Sequence, residues 1–339
     1  MKIIVDAMGG DNAPLEIVKG ALAGQKHWGV DIALTGDESA IRDALAQCGQ
    51  GELPQGVEIV PTSQTVDMCD DPATVFRRKK DTSMGVGLTM LREGKADALV
   101  SAGSTGALLT GATLITKRIH GIRRAAMAPV IPTTTGQAVL IDCGANAECT
   151  PEYLVQFAYL GSFYAQQVLG LERPRVGLLN IGAEDSKGTD LQKQTLARLK
   201  EADAAGPLHF IGNIEAQEAI TGGCDVIVTD GFSGNILLKT MEGVGSFAGS
   251  ALKSMFKKNL LTKLAALAVM PGLNAFKDKL DPNKVGGTAF IGISKAVIKA
   301  HGASNAEAVE NAVGQAAAFA RSGLIEKIEE NVNLMKIEQ

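Results

Sequence analysis

A short run of glycine and hydroxyl residues occurs twice in the chain and is well suited to binding an anion. The first copy, Asp97 to Gly106, reads DALVSAGSTG, and the second, Asp225 to Gly234, reads DVIVTDGFSG. The aspartate, valine, hydroxyl and glycine positions recur at a constant offset. Each copy predicts a buried strand, a short loop and a helix that begins at hydroxyl capping groups. Free backbone N–H groups and the positive end of the helix dipole favour an anion at such a loop.

Two copies in register predict two related half-units that face one cleft, with phosphate bound between the two loops. In a parallel α/β sheet these loops lie at the carboxyl ends of strands, where ligands bind. The alternative is that the hydroxyl groups only cap their helices, as they do in many α/β proteins. The predicted phosphate-binding residues are Ser101, Gly103, Ser104, Thr105 and Gly106 in the first loop, and Gly231, Ser233 and Gly234 in the second.

Composition narrows the class of protein. The chain has 339 residues, of which 45% are apolar and 4% aromatic, so its core is built from Ala, Val, Ile and Leu. A net charge of −4 excludes a generally basic nucleic-acid binder. Five cysteines without CxxC or Cys/His ligand spacing indicate free thiols in a reducing compartment and no metal site. A strand begins at once after Met1 and leaves no room for a signal peptide, and no apolar run reaches membrane-spanning length. We therefore expect a cytoplasmic protein.

Apolar strand-like runs alternate with helical patterns, and this alternation predicts an α/β fold. No Ser/Pro-rich linker divides the chain, so we expect residues 1–339 to form a single unit of two intertwined lobes that share a sheet. The predicted strands include 2–5, 31–36, 57–60 and a hairpin of 126–131 with 138–142. The predicted helices include 72–93, one that begins near Asn235, and 305–330, whereas 289–300 fits a strand or a helix. Residues 243–284 read as a protruding basic amphipathic helical segment.

Eight sequence motifs, in order from residue 6 to residue 304, resemble the bacterial phosphate acyltransferase (PlsX) family. They are DAMGGDNAP, RRKKDTSM, SAGSTGALL, DCGAN, NIGAEDSKGT, GNIE, DVIVTDGFSGNILLK and IKAHGAS. The resemblance implies a three-layer α/β/α fold of two related lobes, like isocitrate dehydrogenase and phosphotransacetylase, in a homodimer. It also implies transfer of a fatty acyl group from acyl-acyl carrier protein to inorganic phosphate, which gives acyl phosphate for phospholipid synthesis. Ser104, Cys143 and Ala216-Gln217 depart from the residues usual in the family.

The chemistry implied by this resemblance needs neither a cofactor nor a metal. A thioester is already activated and phosphate is already a nucleophile, so phosphate attacks directly and no covalent enzyme intermediate forms. The site must supply an anion pocket, alignment and donors to the oxyanion. The predicted catalytic residues are Lys187, which would neutralise phosphate or the oxyanion; Asn235, whose amide would donate to either; and Asp230, which would orient Lys187 or a water. Their structural alternatives are a solvated lysine, a capping asparagine and a loop cap.

Further polar residues are expected to line the cleft. They are Asp6, Asp11, Asn12, Asn146 and His301. Each also has a structural interpretation, since Asp and Asn shape turns and a lone histidine after a helix is more often structural. Cys143 and Cys224 adjoin strand ends and read as small core residues.

Two basic segments predict contacts with partners. Arg77, Arg78, Lys79 and Lys80 would dock an acidic acyl carrier protein, although a solvated helix face explains them equally well. Residues 243–277 contain lysines but no Asp or Glu. Their apolar face would lie on an anionic membrane surface, where a membrane glycerol-phosphate acyltransferase would use the product. The alternative is a dimer interface or the roof of an acyl pocket. The predicted membrane residues are Leu252, Phe256, Leu260 and Leu264.

Two other functions compete with acyl transfer. A nicotinamide-dependent dehydrogenase would share the expected fold, but the glycines Gly243, Gly245 and Gly249 lie in a helical stretch and not after a strand. A non-catalytic scaffold that binds acyl carrier or lipid would use the same glycine-rich loops without turnover.

Overall fold

The computed structural model describes residues 1–259 and 286–336, together with Thr262, Ala265, Ala266, Val269, Met270, Gly272 and Lys284. Within these residues, seven strands form a first sheet in the order β3-β2-β1-β4-β12-β11-β5. The strands β1 to β4 and β12 run parallel, and β11 is antiparallel to both of its neighbours. The bounds are β1 Lys2–Asp6, β2 Asp31–Gly36, β3 Val57–Pro61, β4 Ala98–Ser101, β5 Ala126–Ala128, β11 Thr288–Ile291 and β12 Ala296–Lys299.

Five strands of the described chain form a second sheet in the order β6-β7-β10-β8-β9. All of its pairs are parallel except β6 with β7. The bounds are β6 Val130–Pro132, β7 Gln137–Ile141, β8 Val176–Asn180, β9 Phe210–Glu215 and β10 Val226–Val228.

Helices cover both sheets and bury their apolar faces. The main core cluster runs through both lobes, from Ile3 and Val5 in the first sheet to Val139 and Ile141 in the second. Two smaller clusters lie on the opposite faces of the sheets. The helices are α1 Leu15–Trp28, α2 Glu38–Gln47, α3 Val75–Arg78, α4 Ser83–Arg92, α5 Thr105–Gly111, α6 Pro151–Gln167, α7 Asp190–Ala204, α8 Ala216–Thr221, α9 Gly231–Lys257, α10 Ala306–Arg321 and α11 Leu324–Glu330.

The predicted α/β fold of two lobes is confirmed, but the expectation of one shared sheet is wrong. The chain leaves the first sheet at Ala128 and enters the second at Val130, so the predicted strand 126–131 is two strands in different sheets. Pro129 lies between them, and a proline has no N–H to continue a ladder. The sheets still touch, because the Cys143 N–H donates to the Met127 carbonyl over 3.1 Å.

Three predicted elements are divided by local backbone geometry. The helix predicted for 72–93 is α3 and α4, since Lys79 is extended and the Thr82 side chain caps a new helix. The helix predicted for 305–330 ends at Arg321 and resumes after Gly323, whose φ of 70° lies in the left-handed region that favours glycine. The segment 289–300 is the antiparallel pair of β11 and β12, which places Thr288 beside Lys299.

The duplicated sequence folds twice into strand, loop and helix, with the caps at different positions. In the first copy the Ser104 hydroxyl accepts from the Ala107 N–H over 3.5 Å. In the second copy the Asp230 carboxylate accepts from the Ser233 N–H over 2.8 Å, so α9 begins at Gly231 and not near Asn235. The corresponding residue of the first copy is Ala102, which has no side-chain oxygen to cap a helix, so only the second copy starts its helix at this earlier position.

Helix α9 leaves the core soon after it begins. Its buried residues are Gly231, Gly234 and Leu237, and large apolar side chains farther along are exposed, including Val244 and Phe247. Within the described residues, every helix is too short or too polar to cross a membrane.

Candidate active site

Three neighbouring parallel strands end in polar residues that lie side by side. In register, Asp6 of β1 is opposite Ser101 of β4, and Ser101 is opposite Lys299 of β12. All three side chains are buried. The Ser101 hydroxyl donates to Asp6 Oδ2 over 2.6 Å and accepts from the Gly103 N–H over 3.1 Å. This row therefore places a carboxyl, a hydroxyl and an ammonium group at the carboxyl edge of the sheet, where α/β proteins bind ligands.

Lys299 is an unusual member of this row, because a lysine is rarely buried in a strand. Its ammonium donates to the carbonyls of Ala102 (3.3 Å) and Ala300. Burial lowers the pKa of Lys299 to about 8, and the negative charges of Asp6 and Asp11 oppose that shift. Burial also raises the pKa of the Asp6 carboxyl, although hydrogen bonds from Ser101 and Ser83 act the other way.

In the second lobe, Asp142 organises the loop that follows β7. One of its carboxyl oxygens accepts from the N–H groups of Met127 and Cys143, over 2.8 and 2.7 Å. The other accepts from the Asn146 N–H over 2.6 Å and from the Asn146 amide over 3.0 Å. Burial raises the pKa of the Asp142 carboxyl despite these bonds. The Asn146 amide also donates to the Ala125 carbonyl. The side-chain donors of this predicted cleft residue therefore make hydrogen bonds within the protein.

A cavity of about 440 Å³ opens where residues of both sheets and α9 meet. The polar side chains in its wall belong to Thr105, Asn235, Lys299 and His301, together with Lys239 and Glu242 of α9. The rest of the wall is largely apolar. Its apolar side chains are Met127, Pro129, Val130, Ile131, Pro132, Cys143, Leu238 and Met241.

Three of the residues predicted from sequence line this cavity. Thr105 belongs to the first duplicated loop, Asn235 to the first turns of α9, and His301 to the loop after β12. The His301 ring nitrogen Nδ1 accepts from the Ala303 N–H over 3.2 Å. Three segments that are far apart in sequence thus bring part of the predicted site to one cavity.

Other residues of the two duplicated loops are used within the protein. The hydroxyls of Ser101 and Ser104 bind Asp6 and the start of α5, respectively. The Asp230 carboxylate accepts hydrogen bonds from both the N–H and the hydroxyl of Ser233, the latter over 2.9 Å. Gly231 donates to the Asn146 carbonyl over 2.8 Å. These contacts match the capping interpretation, and the phosphate-binding role of both loops, including Gly103, Gly106 and Gly234, stays a prediction.

The remaining predicted site residues lie outside the cavity wall. Lys187 is exposed in the loop between β8 and α7, and Asp230 makes its side-chain bonds to Ser233 and none to Lys187. Asp11 and Asn12 attach the first loop to the loop after β12. The Asp11 N–H donates to the Gly302 carbonyl over 2.8 Å, and the Asn12 amide donates to the Ser304 carbonyl over 3.1 Å.

Sequence reasoning missed Lys299 and the apolar wall. The signal for Lys299 was a charged residue at the end of the apolar run AVIK, two positions before His301. The wall combines β5, β6 and α9, and no local pattern indicates that these segments meet.

Cys143 and Cys224 are both buried in an apolar cluster, as predicted. Cys143 also faces the cavity, and its thiol donates to the Gly234 carbonyl over 3.6 Å. Burial, reinforced by the charge of Asp142, raises the pKa of the Cys143 thiol to about 12. The thiol therefore remains protonated near neutral pH and is a poor nucleophile.

The basic run 77–80 is not a uniform cationic surface. Lys79 is half-buried and pairs with Asp67 (2.8 Å) and Asp70 (2.6 Å). These hydrogen bonds raise the pKa of the Lys79 ammonium. Arg77, Arg78 and Lys80 remain exposed. Of the predicted membrane residues, Leu252 and Phe256 are half-buried on α9, whereas Leu260 and Leu264 lie outside the described residues.

Comparison with solved structures defines the class of fold. The chain is similar to a phosphotransacetylase from Streptococcus pyogenes with a TM-score of 0.64 at 17% identity, and 94% of each chain is covered. It is also similar to a 4-hydroxythreonine-4-phosphate dehydrogenase from Klebsiella pneumoniae, with a TM-score of 0.56 at 14% identity over 95% of this chain and 99% of the other. The fold is therefore one that acyl-transfer enzymes and dehydrogenases share, as the sequence predicted.

Sequence comparison then distinguishes between these classes. A family model described as fatty acid synthesis protein matches residues 1–327. The chain is 46% identical over 333 residues to a phosphate acyltransferase from Alkaliphilus oremlandii, with 98% of each covered. It is also 46% identical over 334 residues to one from Brevibacillus brevis, with 98% of this chain and 97% of that protein covered. The chain belongs to the phosphate acyltransferase family, and it is an acyltransferase of fatty acid synthesis.

Proposed function

We propose that this enzyme transfers a fatty acyl group from acyl-acyl carrier protein to inorganic phosphate and releases acyl phosphate for phospholipid synthesis. The observation that supports this proposal is the cavity, whose largely apolar wall also includes polar side chains and a buried cation. An acyl chain against Met127, Ile131 and Leu238 would gain about 0.8 kcal/mol per buried CH₂ group. The thioester at its head would then lie near Thr105 and Asn235.

Direct attack by phosphate fits the side chains around the cavity. A phosphate oxygen forms the new C–O bond at the thioester carbon, the C–S bond breaks, and its electron pair leaves with sulfur. The thiolate then takes a proton from water. Burial raises the pKa of the Cys143 thiol to about 12, so this thiol in the cavity wall is not activated for covalent catalysis. Asn235 lines the cavity, and its amide would donate to the phosphate or to the oxyanion.

The enzyme would also contact three partners. We propose that the exposed cations near Arg77 dock the acidic carrier protein, that the exposed apolar side of α9 contacts an anionic membrane surface, and that the enzyme is a homodimer. Release of acyl phosphate at that surface would supply a membrane glycerol-phosphate acyltransferase. The basic and apolar character of α9 beyond residue 243 supports the membrane contact.

The test mixes the enzyme with acyl-acyl carrier protein and radiolabelled phosphate, and it measures free carrier thiol together with labelled acyl phosphate. We expect both products to appear in equal amounts and only when phosphate is present. A burst of about one equivalent of thiol without phosphate would contradict direct attack. Tight carrier binding with no products would indicate a scaffold, and reduction of a nicotinamide cofactor would indicate a dehydrogenase.

A further inference from the structure

We propose that Lys299 is a catalytic residue of the acyl transfer described above, and this inference rests on that proposed function. Its ammonium group would contact a phosphate oxygen in the cavity and neutralise the negative charge as phosphate attacks the thioester. Lys299 would stay protonated throughout, while the bonds at carbon and sulfur change as described above. The proposal is electrostatic, so it requires no covalent bond to the enzyme.

The first support is position. Lys299 is only 8% exposed, yet it lines the cavity, so the accessible part of its side chain faces that space. It ends a strand whose neighbour β4 leads through a short loop to Thr105, the first residue of α5. Thr105, Asn235 and His301 line the same cavity from three other segments. Lys299 therefore shares the cavity wall with polar residues of both lobes.

The second support is the set of bonds that the ammonium makes. An ammonium group has three donors, and two carbonyls, of Ala102 and Ala300, accept from Lys299. Within the described part of the chain, no carboxylate lies within 4.0 Å of this nitrogen. A buried charge without a contacting counter-ion is unfavourable unless a ligand supplies one. A phosphate oxygen would complete the third bond and the charge balance.

The third support is a comparison with other lysines. Lys239 also lines the cavity, but it is more exposed and pairs with Glu242 over 2.7 Å. Lys187 is exposed and outside the cavity wall. Lys299 thus combines burial, access to the cavity and the lack of an ion pair with any residue that the structure describes, three properties that suit a preorganised charge in a water-poor site.

The charged and titratable groups around Lys299 predict how activity depends on pH. Asp6 and Asp11 of the first lobe favour the charged ammonium, Lys239 of α9 disfavours it, and Glu242 and His301 share the cavity wall. Because burial brings the pKa of Lys299 to about 8, the cation is present at neutral pH and lost as pH rises through that value. Turnover should therefore fall on the alkaline side.

The experiment measures kcat/KM for phosphate between pH 6.5 and 9.5, at saturating acyl-acyl carrier protein, in wild type and three variants. Lys299→Met removes the charge, Lys299→Arg keeps a charge that does not titrate, and Lys295→Met changes a lysine of the same hairpin outside the cavity wall. We expect a loss of about a hundredfold or more in Lys299→Met near pH 7 and no loss in Lys295→Met. The alkaline decline should be absent from both variants up to pH 9.5, because Lys299→Met has no charge to lose and Lys299→Arg keeps its charge throughout.

Chemical rescue provides an independent readout. Ethylammonium added to Lys299→Ala should restore part of the activity, and it should not stimulate Lys295→Met. Wild-type activity in a folded Lys299→Met variant would overturn this proposal while leaving the proposed function intact. If that variant does not fold, an alkaline profile of wild type that is flat to pH 9.5 would overturn it instead. A wild type that makes no acyl phosphate refutes the proposed function itself.

Discussion

Two of the predicted catalytic residues, Asn235 and Lys187, lie in different surroundings. Asn235 lines the cavity, whereas Lys187 is exposed on the loop before α7. We expect Asn235→Ala to lower kcat/KM for phosphate by about a hundredfold, because one transition-state donor is lost. We expect a similar loss in Lys187→Ala, since the predicted role of Lys187 is to neutralise phosphate or the oxyanion.

Steady-state kinetics on folded proteins checks both variants, with Lys193→Ala on α7 as the control for an exposed lysine nearby. Full activity in Lys187→Ala would mean that Lys187 does not neutralise the phosphate or the oxyanion. Full activity in Asn235→Ala would mean that Asn235 has only a structural role near the start of α9.

The surroundings of Lys299 explain why the sequence alone did not indicate it as a site residue. A lysine at the end of a short apolar run is ordinarily placed at the end of a strand, in solvent. Its burial follows from the pairing of β12 between β4 and β11, and β12 lies almost two hundred residues from β4 along the chain. Sequence patterns predict which residues are charged, but the environment of a charge depends on long-range packing.

At the scale of elements, α9 contains two glycines in contrasting surroundings. A Cβ at Gly234 would lie 2.0 Å from the Asp142 carbonyl oxygen, whereas a Cβ at Gly243 would meet nothing within 4 Å. Gly234→Ala should therefore lower the free energy of unfolding by about 1–3 kcal/mol, because backbone must shift. Gly243→Ala should raise it by about 0.5–1 kcal/mol, because alanine loses less entropy in a helix.

Urea denaturation followed by circular dichroism measures both changes in the free energy of unfolding. Gly243→Ala is the matched control, since it makes the same chemical change on the same helix. Equal midpoints for the two variants would mean that α9 does not pack against the Asp142 loop as described.

The basic segment 77–80 gives a prediction about carrier docking. Reversal of the three exposed charges, as Arg77→Glu, Arg78→Glu and Lys80→Glu together, should raise KM for acyl-acyl carrier protein about tenfold or more at low salt, because steering of an acidic partner is lost. Lys79 is not substituted in this variant, because it forms ion pairs with Asp67 and Asp70.

The control variant makes the same charge change at three exposed cations elsewhere, Lys26, Lys193 and Arg321. A second control is a small acyl-pantetheine substrate, whose KM should not respond to reversal in either set. Equal KM for the carrier substrate in the two triple variants would assign the effect to net charge and not to docking.

At the scale of the whole molecule, α9 carries an exposed apolar stripe beyond the sheets. Val244, Phe247 and Met255 are 60%, 75% and 53% exposed, and their spacing places them near one side of the helix. Lys253 and Lys257 lie on the same helix, and each cation near an anionic surface adds about 1 kcal/mol of attraction. We expect the protein to co-sediment with anionic vesicles at low salt and less with neutral ones.

Phe247→Glu should weaken that co-sedimentation several-fold, because it places a carboxylate in the apolar stripe. Met68→Glu, at a side chain of similar exposure on the first lobe, is the control. If wild type stays in the supernatant with anionic vesicles, the stripe belongs to another contact. Sedimentation equilibrium would then test whether Phe247→Glu dissociates a dimer.

Sequence by itself determined the α/β fold, the family and the two strand–loop–helix copies. These depend on local signals, namely apolar periodicity, capping residues and motifs in a set order, which survive without knowledge of contacts. It also brought Thr105, Asn235 and His301 into one predicted cleft, because the carboxyl ends of parallel strands meet at a common edge.

Tertiary structure alone decided how the strands divide between two sheets and which side chains share the cavity. Pro129 interrupts a run that looks like one strand, and Asp230 starts α9 earlier than the hydroxyl pattern predicts. The apolar wall joins Met127 to Leu238 and Met241, and the ammonium of Lys299 is buried beside it. Contacts and burial of this kind arise from packing between segments far apart in sequence, and the free energy of a charge depends on those surroundings more than on its own neighbours in the chain.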